Sequence, residues 1–131
     1  MSFASWLAVG GGAAVGAWLR WWLGTVLNPL FPTVPLGTLA SNLIAGFLMG
    51  IAMELITRNA AMPAEIRLLL TTGFLGGLST FSAFSAEIVT LFAHKEYVWA
   101  GLTIGAHVIG SVALTIAGIF AVRLLIPVEV A

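Results

Sequence analysis

The sequence predicts an all-α membrane protein of four transmembrane helices, the third broken mid-membrane. Three observations carry that reading. The 131 residues are 60% hydrophobic and 8% charged, with a mean hydropathy of +1.10, far from a soluble globular composition. The apolar residues gather into stretches that each reach the roughly 20 residues needed to cross about 30 Å of hydrocarbon. One stretch is interrupted by Gly73-Phe-Leu-Gly-Gly-Leu-Ser-Thr-Phe-Ser-Ala-Phe84, from which a lipid-facing helix gains nothing. Glycine loosens a helix, Ser and Thr compete for its backbone partners, and hydrocarbon supplies no water to the groups set free.

The spans are read in order as 3–27, 36–56, 66–92 with a break near 76–80, and 98–126, one domain over 1–131. Connectors with turn chemistry separate them: Asn28 to Pro35, Thr57 to Pro63 and Ala93 to Glu96. Trp18, Trp21, Trp22 and Trp99 fall near span ends, where aromatic anchors belong. The N-terminus lacks the basic region of a signal peptide and reads as the start of a retained first helix.

Composition also excludes functions. The chain has no cysteine, so disulfides, thiolate metal sites and thiol catalysis are out. Five basic and five acidic residues leave no basic patch for nucleic acid. No nucleophile–base pair, metal-ligand cluster or phosphate loop appears, so an enzyme is the least favoured class. Four spans put Arg58, Arg67 and Arg123 on one side of the membrane, and Arg20 and Lys95 on the other. So slight a bias permits insertion both ways, and oppositely oriented copies could pair as an antiparallel dimer; alternatively one extra charge suffices to orient the chain.

Polar residues within the spans carry the chemistry. In the second, Thr38, Ser41, Asn42, Ala45, Gly46 and Gly50 share a face. Gly46-x-x-x-Gly50 suits close helix approach, whereas Asn42 either joins two helices or offers an N–H donor to an anion. In the fourth, Thr103, His107, Ser111 and Thr115 recur every four residues as a polar track. In the first, Gly12, Gly16, Arg20 and Gly24 do the same, with Arg20 either snorkelling to the interface or drawing anions into a vestibule. The broken third span exposes carbonyls at one helix end and N–H groups at the other, suited to a cation and an anion respectively. Phe81 and Phe84 project to a common face, where positive ring edges can approach an anion. For the whole run, close packing of small residues is the alternative.

Gly76 to Glu87 (GGLSTFSAFSAE), Pro35 to Gly46 (PLGTLASNLIAG) and Gly10 to Arg20 (GGGAAVGAWLR) resemble three signatures of the Fluc (CrcB) fluoride channels. The resemblance covers all four spans in their order. It implies dual-topology antiparallel homodimers of four-helix subunits, in the bacterial cytoplasmic (inner) membrane, with two antiparallel pores exporting fluoride passively. It implies that Phe81 and Phe84 line the pores, with Asn42, Thr38, Ser82 and Ser111, and His107 at a variable position on the track. Gly76 and Ser79 match the break whose backbone carbonyls, from both subunits, hold a structural sodium ion at the dimer interface. Arg20 matches a first-helix arginine near the vestibule, and Glu87 the glutamate after the phenylalanine motif. One departure is Ala83, where many members carry Thr.

Fluoride is small, hard and strongly hydrated, so a selective pore must replace its water with closely placed donors. Amide, hydroxyl and backbone donors with aromatic edges do so without a cationic trap. A small multidrug antiporter is also short and four-spanning but needs a proton-accepting carboxylate within its spans, for which only Glu87 qualifies. A structural assembly factor would use the small-residue faces for packing alone.

Overall fold

The computed structural model describes residues 1–127, and every regular element among them is helical. Helix α1 runs Phe3–Leu27, its N-terminus capped by the Ser2 hydroxyl, which accepts from the Ser5 N–H at 3.1 Å. A 3₁₀ turn, Asn28–Leu30, leads towards α2, Leu36–Arg58. No neighbouring side chain caps α2. Instead Asn28 reaches across the loop and its Oδ1 accepts from the Gly37 N–H at 2.8 Å.

The third segment is assembled from pieces. Helix α3, Ala64–Leu68, passes into a π-helical stretch, Leu69–Leu75, and then into one turn of α4, Gly76–Leu78. Ser79 (φ −79°, ψ 157°) and Thr80 (φ −154°, ψ 120°) are extended, and α5, Phe81–Ala93, completes the crossing. Lys95, at φ 60°, closes the turn into α6, Tyr97–Leu125, and the Glu96 N–H returns to the Leu91 carbonyl at 2.9 Å. The π-helical stretch was not expected from the sequence, in which its apolar residues suit an α-helix equally well.

Among the described residues, three segments combine the length and hydropathy needed to cross a membrane: Leu36–Arg58, Ala64–Ala93 and Tyr97–Leu125. Helix α1, at 25 residues, has the length. Trp18, Trp21 and Trp22 are all exposed on it, while the Trp99 ring meets Phe31 edge-on at 5.2 Å.

Two seams of small residues bring backbones together. Along α1, a Cβ at Gly12 would lie 2.8 Å from Phe74 N, and one at Gly16 2.7 Å from Leu78 N. Gly73 answers from the π-helical side, where a Cβ would lie 2.8 Å from the Val9 carbonyl oxygen. Between α2 and α6, a Cβ at Gly46 would stand 2.8 Å from the Ser111 oxygen, and at Gly118 3.0 Å from Ile51 N. The Thr115 hydroxyl is shared between the carbonyls of Gly46 (3.0 Å) and Ser111 (2.9 Å), joining α6 to α2. Within a bilayer, such close approach drives helix association through dispersion and hydrogen bonding. Leu23, Ala45, Leu75 and Leu78 fill the space between α1, α2 and the third segment.

Charges fasten the helix ends. Glu54 accepts from Arg58 at 2.9 Å and from Arg123 at 3.2 Å, and Arg58 also donates to the Ile126 carbonyl. Arg67 is spent on the preceding loop, donating to the Met62 carbonyl at 2.8 and 2.9 Å and to that of Ala60 at 3.2 Å.

Gly16→Val is expected to lower stability by about 1–3 kcal/mol, the usual range for overpacking. Gly101→Ala is expected not to lower it, since nothing lies within 4 Å of a Cβ there. Unfolding midpoints of both variants in detergent check the pair.

Candidate functional site

In a continuous helix the Thr80 N–H would bond to the Gly76 carbonyl; at the break it does not. It donates instead to Asn42 Oδ1 at 2.7 Å, while Asn42 Nδ2 donates to the Thr80 carbonyl at 3.0 Å. One side-chain amide on α2 therefore pairs with both backbone groups of one residue, as a neighbouring strand would. The second Nδ2 hydrogen goes to His107 Nδ1 on α6, also at 3.0 Å. The Thr80 hydroxyl accepts from the Ala83 N–H at 3.1 Å and caps α5. From α1, Arg20 Nε donates to the Gly77 carbonyl at 3.1 Å. Each long helix thus sends one side chain to the break or to the residue that holds it.

Asn42 joins helices, and its amide hydrogens are both engaged in doing so. Arg20 points to the break, away from the simple snorkelling geometry, and lines a cavity of about 370 Å³ with Thr25, Asn28, Thr38, Thr80 and Ala83. Thr80 is the residue that sequence reasoning undervalued, treating it as one hydroxyl among several. Its signal was present: a threonine directly before an apolar helical run is a common N-cap.

On the opposite side of the break lies a cavity of about 410 Å³, between α2, α5 and α6. Asn42, Ser79, Thr80, Phe81, Phe84, His107 and Ser111 line it. None of its lining residues is Asp, Glu, Lys or Arg. Phe81 and Phe84 are adjacent, with centroids 5.5 Å apart, but their environments differ: Phe81 is 78% exposed and Phe84 8%. Phe84 is held between α5 and α6 by the His107 ring at 4.6 Å. The common face expected from their spacing is therefore split into an inner and an outer ring.

The polar track on α6 divides likewise. Thr103 and His107 are 2% and 4% exposed, and both Thr103 Oγ1 and His107 Nε2 are buried without a partner. Thr115 bonds to α2 and, with Ser111, borders the cavity. Orphaned buried polar atoms are costly, roughly 1–3 kcal/mol each, and call for a partner.

The remaining predicted residues lie elsewhere. Thr38 faces the Arg20 cavity and donates to Glu87 Oε1, while Glu87 Oε2 is buried and unpartnered. Glu87 borders a third cavity, of about 620 Å³, with His94 and Glu96 at the loop end of the helices. Ser82 is exposed, 3.4 Å from the Thr80 hydroxyl. Gly76 is exposed beside the break, and the Ser79 hydroxyl turns back to the Leu75 carbonyl at 2.8 Å.

Helices throughout the described residues, with apolar crossings and a discontinuous helix pinned at its break, define an integral membrane protein of the kind that gathers ions at broken helices. The family described as "CrcB-like protein, Camphor Resistance (CrcB)" matches residues 7–119, and the chain belongs to it. It is 57% identical over 116 residues to the fluoride-specific ion channel FluC of Nitrosospira multiformis, covering 88% of this chain and 91% of that one. Over 123 residues it is 50% identical to the FluC of Ralstonia pickettii, covering 94% and 98%. The FluC of Tolumonas auensis is 51% identical over 119 residues, covering 91% and 94%.

Asn42→Leu is expected to orphan both backbone groups of Thr80, at roughly 1–3 kcal/mol each. Loss of hydrogen-exchange protection at the Thr80 amide, with the amides of α2 still protected, is the corresponding signature.

Proposed function

We propose that the protein is a fluoride-selective channel that lets fluoride leave the cytosol passively across the bacterial inner membrane. The observation that carries this reading is the cavity beside the break. It combines hydroxyls, a histidine and phenylalanine rings at membrane depth with no fixed charge. A hard, strongly hydrated anion needs closely placed donors to leave water, and a pore that conducts must not hold it too tightly. The N-terminus of α5, with its positive dipole end at Phe81, adds attraction without a full charge. The names of the relatives point to fluoride specifically.

Phe81, Phe84, Asn42, Ser82, Ser111, His107 and Thr38 are assigned to the fluoride route, with Arg20 and Glu87 at its approaches. In this assignment Asn42, steadied by His107, shapes the route by fixing the break, and the hydroxyls supply donors. The antiporter alternative is weakened by the position of Glu87, which lies off the cavity and takes a hydrogen bond from Thr38.

The working unit is an antiparallel homodimer with two pores. Its support is the outward Phe81 ring, the exposed Gly76 beside the break and the near balance of charge at the two helix ends. Two copies related by a two-fold axis in the membrane plane would bring their breaks together and cover these surfaces. The residues at the break also fit a structural sodium ion. Thr80's N–H is taken by Asn42, so the Gly76 carbonyl lacks its helical partner, and a Cβ at Gly76 would meet only the Thr71 oxygen, at 3.7 Å. The carbonyls of Gly76 and Ser79 would hold the ion, and unwound carbonyls are hard oxygen ligands of the required type. Its contribution would be to tie two breaks together.

Proteoliposomes followed with a fluoride electrode are expected to release fluoride rapidly and chloride negligibly. Phe81→Ile is expected to reduce fluoride release at least tenfold while leaving the dimer intact by size-exclusion chromatography. Absence of fluoride release from verified dimers would overturn the channel reading.

A further inference from the structure

His107 is tied to the break by a bond that only one protonation state can make. An amide nitrogen donates and never accepts, so the ring nitrogen facing Asn42 Nδ2 must be an acceptor. Nδ1 is therefore bare and, in the neutral ring, the hydrogen sits on Nε2, which is buried without a partner. The ring is 4% exposed and packed at a tilt against Phe84, with centroids 4.6 Å apart, so it cannot swing aside cheaply to present another edge. Protonation would place a hydrogen on Nδ1 and set two donors against each other. Asn42 would lose its contact with α6, and its grip on Thr80 would rest on α2 alone.

We propose that His107 is a positioning residue for conduction: its neutral Nε2–H tautomer steadies Asn42 against Thr80, so the conducting break requires an unprotonated ring. The proposal rests on the channel reading above. Charged groups on the packed elements do not intervene. The charged residue of α5 is Glu87, bonded to Thr38, and those of α2 are Glu54 and Arg58, joined to Arg123 of α6 at the helix end. The facing side chains are neutral: Asn42 from α2 and Phe84 from α5. Raising the proton concentration should therefore close the route through the ring itself.

The test is the initial rate of fluoride release from proteoliposomes between about pH 8 and about pH 4.5, a range that extends well to either side of the ordinary histidine value. Protein-free vesicles give the leak of hydrofluoric acid to be subtracted. The expected wild-type rate falls about tenfold per pH unit on the acid side of the ring's titration. His107→Gln, which offers Asn42 a non-titrating acceptor, is expected to conduct with a flat profile. His107→Phe, which keeps a ring but no acceptor, is expected to lose flux at every pH. His94→Gln is expected to follow the wild type, since His94 is exposed at the loop end.

A flat wild-type profile, or an acid-sensitive His107→Gln, overturns the proposal and leaves the channel reading intact. Two further readouts do not depend on flux. Nitrogen-15 spectra of the histidine ring are expected to show the Nε2–H tautomer at high pH, and Thr80 amide protection is expected to fall with acid in the wild type but not in His107→Gln. A ring carrying its hydrogen on Nδ1, or pH-independent Thr80 protection, overturns the proposal. Fluoride release absent at all pH values while both readouts hold would instead overturn the channel reading alone.

Discussion

Two extended residues in the middle of a hydrocarbon-spanning segment impose the condition that organises the molecule. The Ser79 N–H makes the last helical bond, to the Leu75 carbonyl, before the break at Thr80, and the membrane interior has no water to replace those that follow. Relief comes from three directions. Asn42 pairs with the Thr80 backbone, the Thr80 hydroxyl caps the helix that follows, and Arg20 covers the Gly77 carbonyl. Those reaches are short, so α1 and α2 must approach the third segment closely. The glycine seam on α1 makes that approach sterically possible for Arg20, and the seam between α2 and α6 brings His107 within reach of Asn42. Small residues and membrane-depth polar residues are one design here, in which the first set the distances that the second need.

The same economy explains a site without formal charge. A buried cation would bind a hard anion strongly and release it slowly, whereas dispersed dipoles lower the barrier to dehydration without creating a deep well. The carboxylate and guanidinium groups nearest the break are engaged by neutral partners, Glu87 by Thr38 and Arg20 by a backbone carbonyl. What is left facing the cavity beside Phe84 is amide, hydroxyl, imidazole and ring, set among aliphatic side chains such as Met49, Leu75, Val108 and Val112.

Much of this was legible in the sequence, though unevenly. The crossings, their connectors and the helical interruption could be read because hydropathy and glycine content are local properties. The residues of one helix face could be grouped because 3.6 residues per turn is a local rule. Their division of labour could not. Thr115 bonds to α2 as well as bordering the cavity with His107 and Ser111, whereas Thr103 is buried away from it, and only the neighbouring helices decide which. The different exposures of Phe81 and Phe84 depend on where α6 lies, and Asn28 caps Gly37 only because the loop folds back. The pairing of Asn42 with Thr80 spans 38 residues and leaves no trace in local periodicity.

The π-helical stretch Leu69–Leu75 gives the third segment a property that composition does not express. A π turn is in effect an α-helix holding one additional residue, accommodated by widening the coil. Ordinary α-helix could re-form there with one residue fewer and leave Gly76, Gly77 and Ser79 facing the same neighbours. A deletion from the α-helical run Ala64–Leu68 has no such slack: everything beyond would rotate by about 100° about the axis, and Thr80 would turn from Asn42. The widened passage is thus a reserve of length, able to give up a residue without re-aiming the break that follows it.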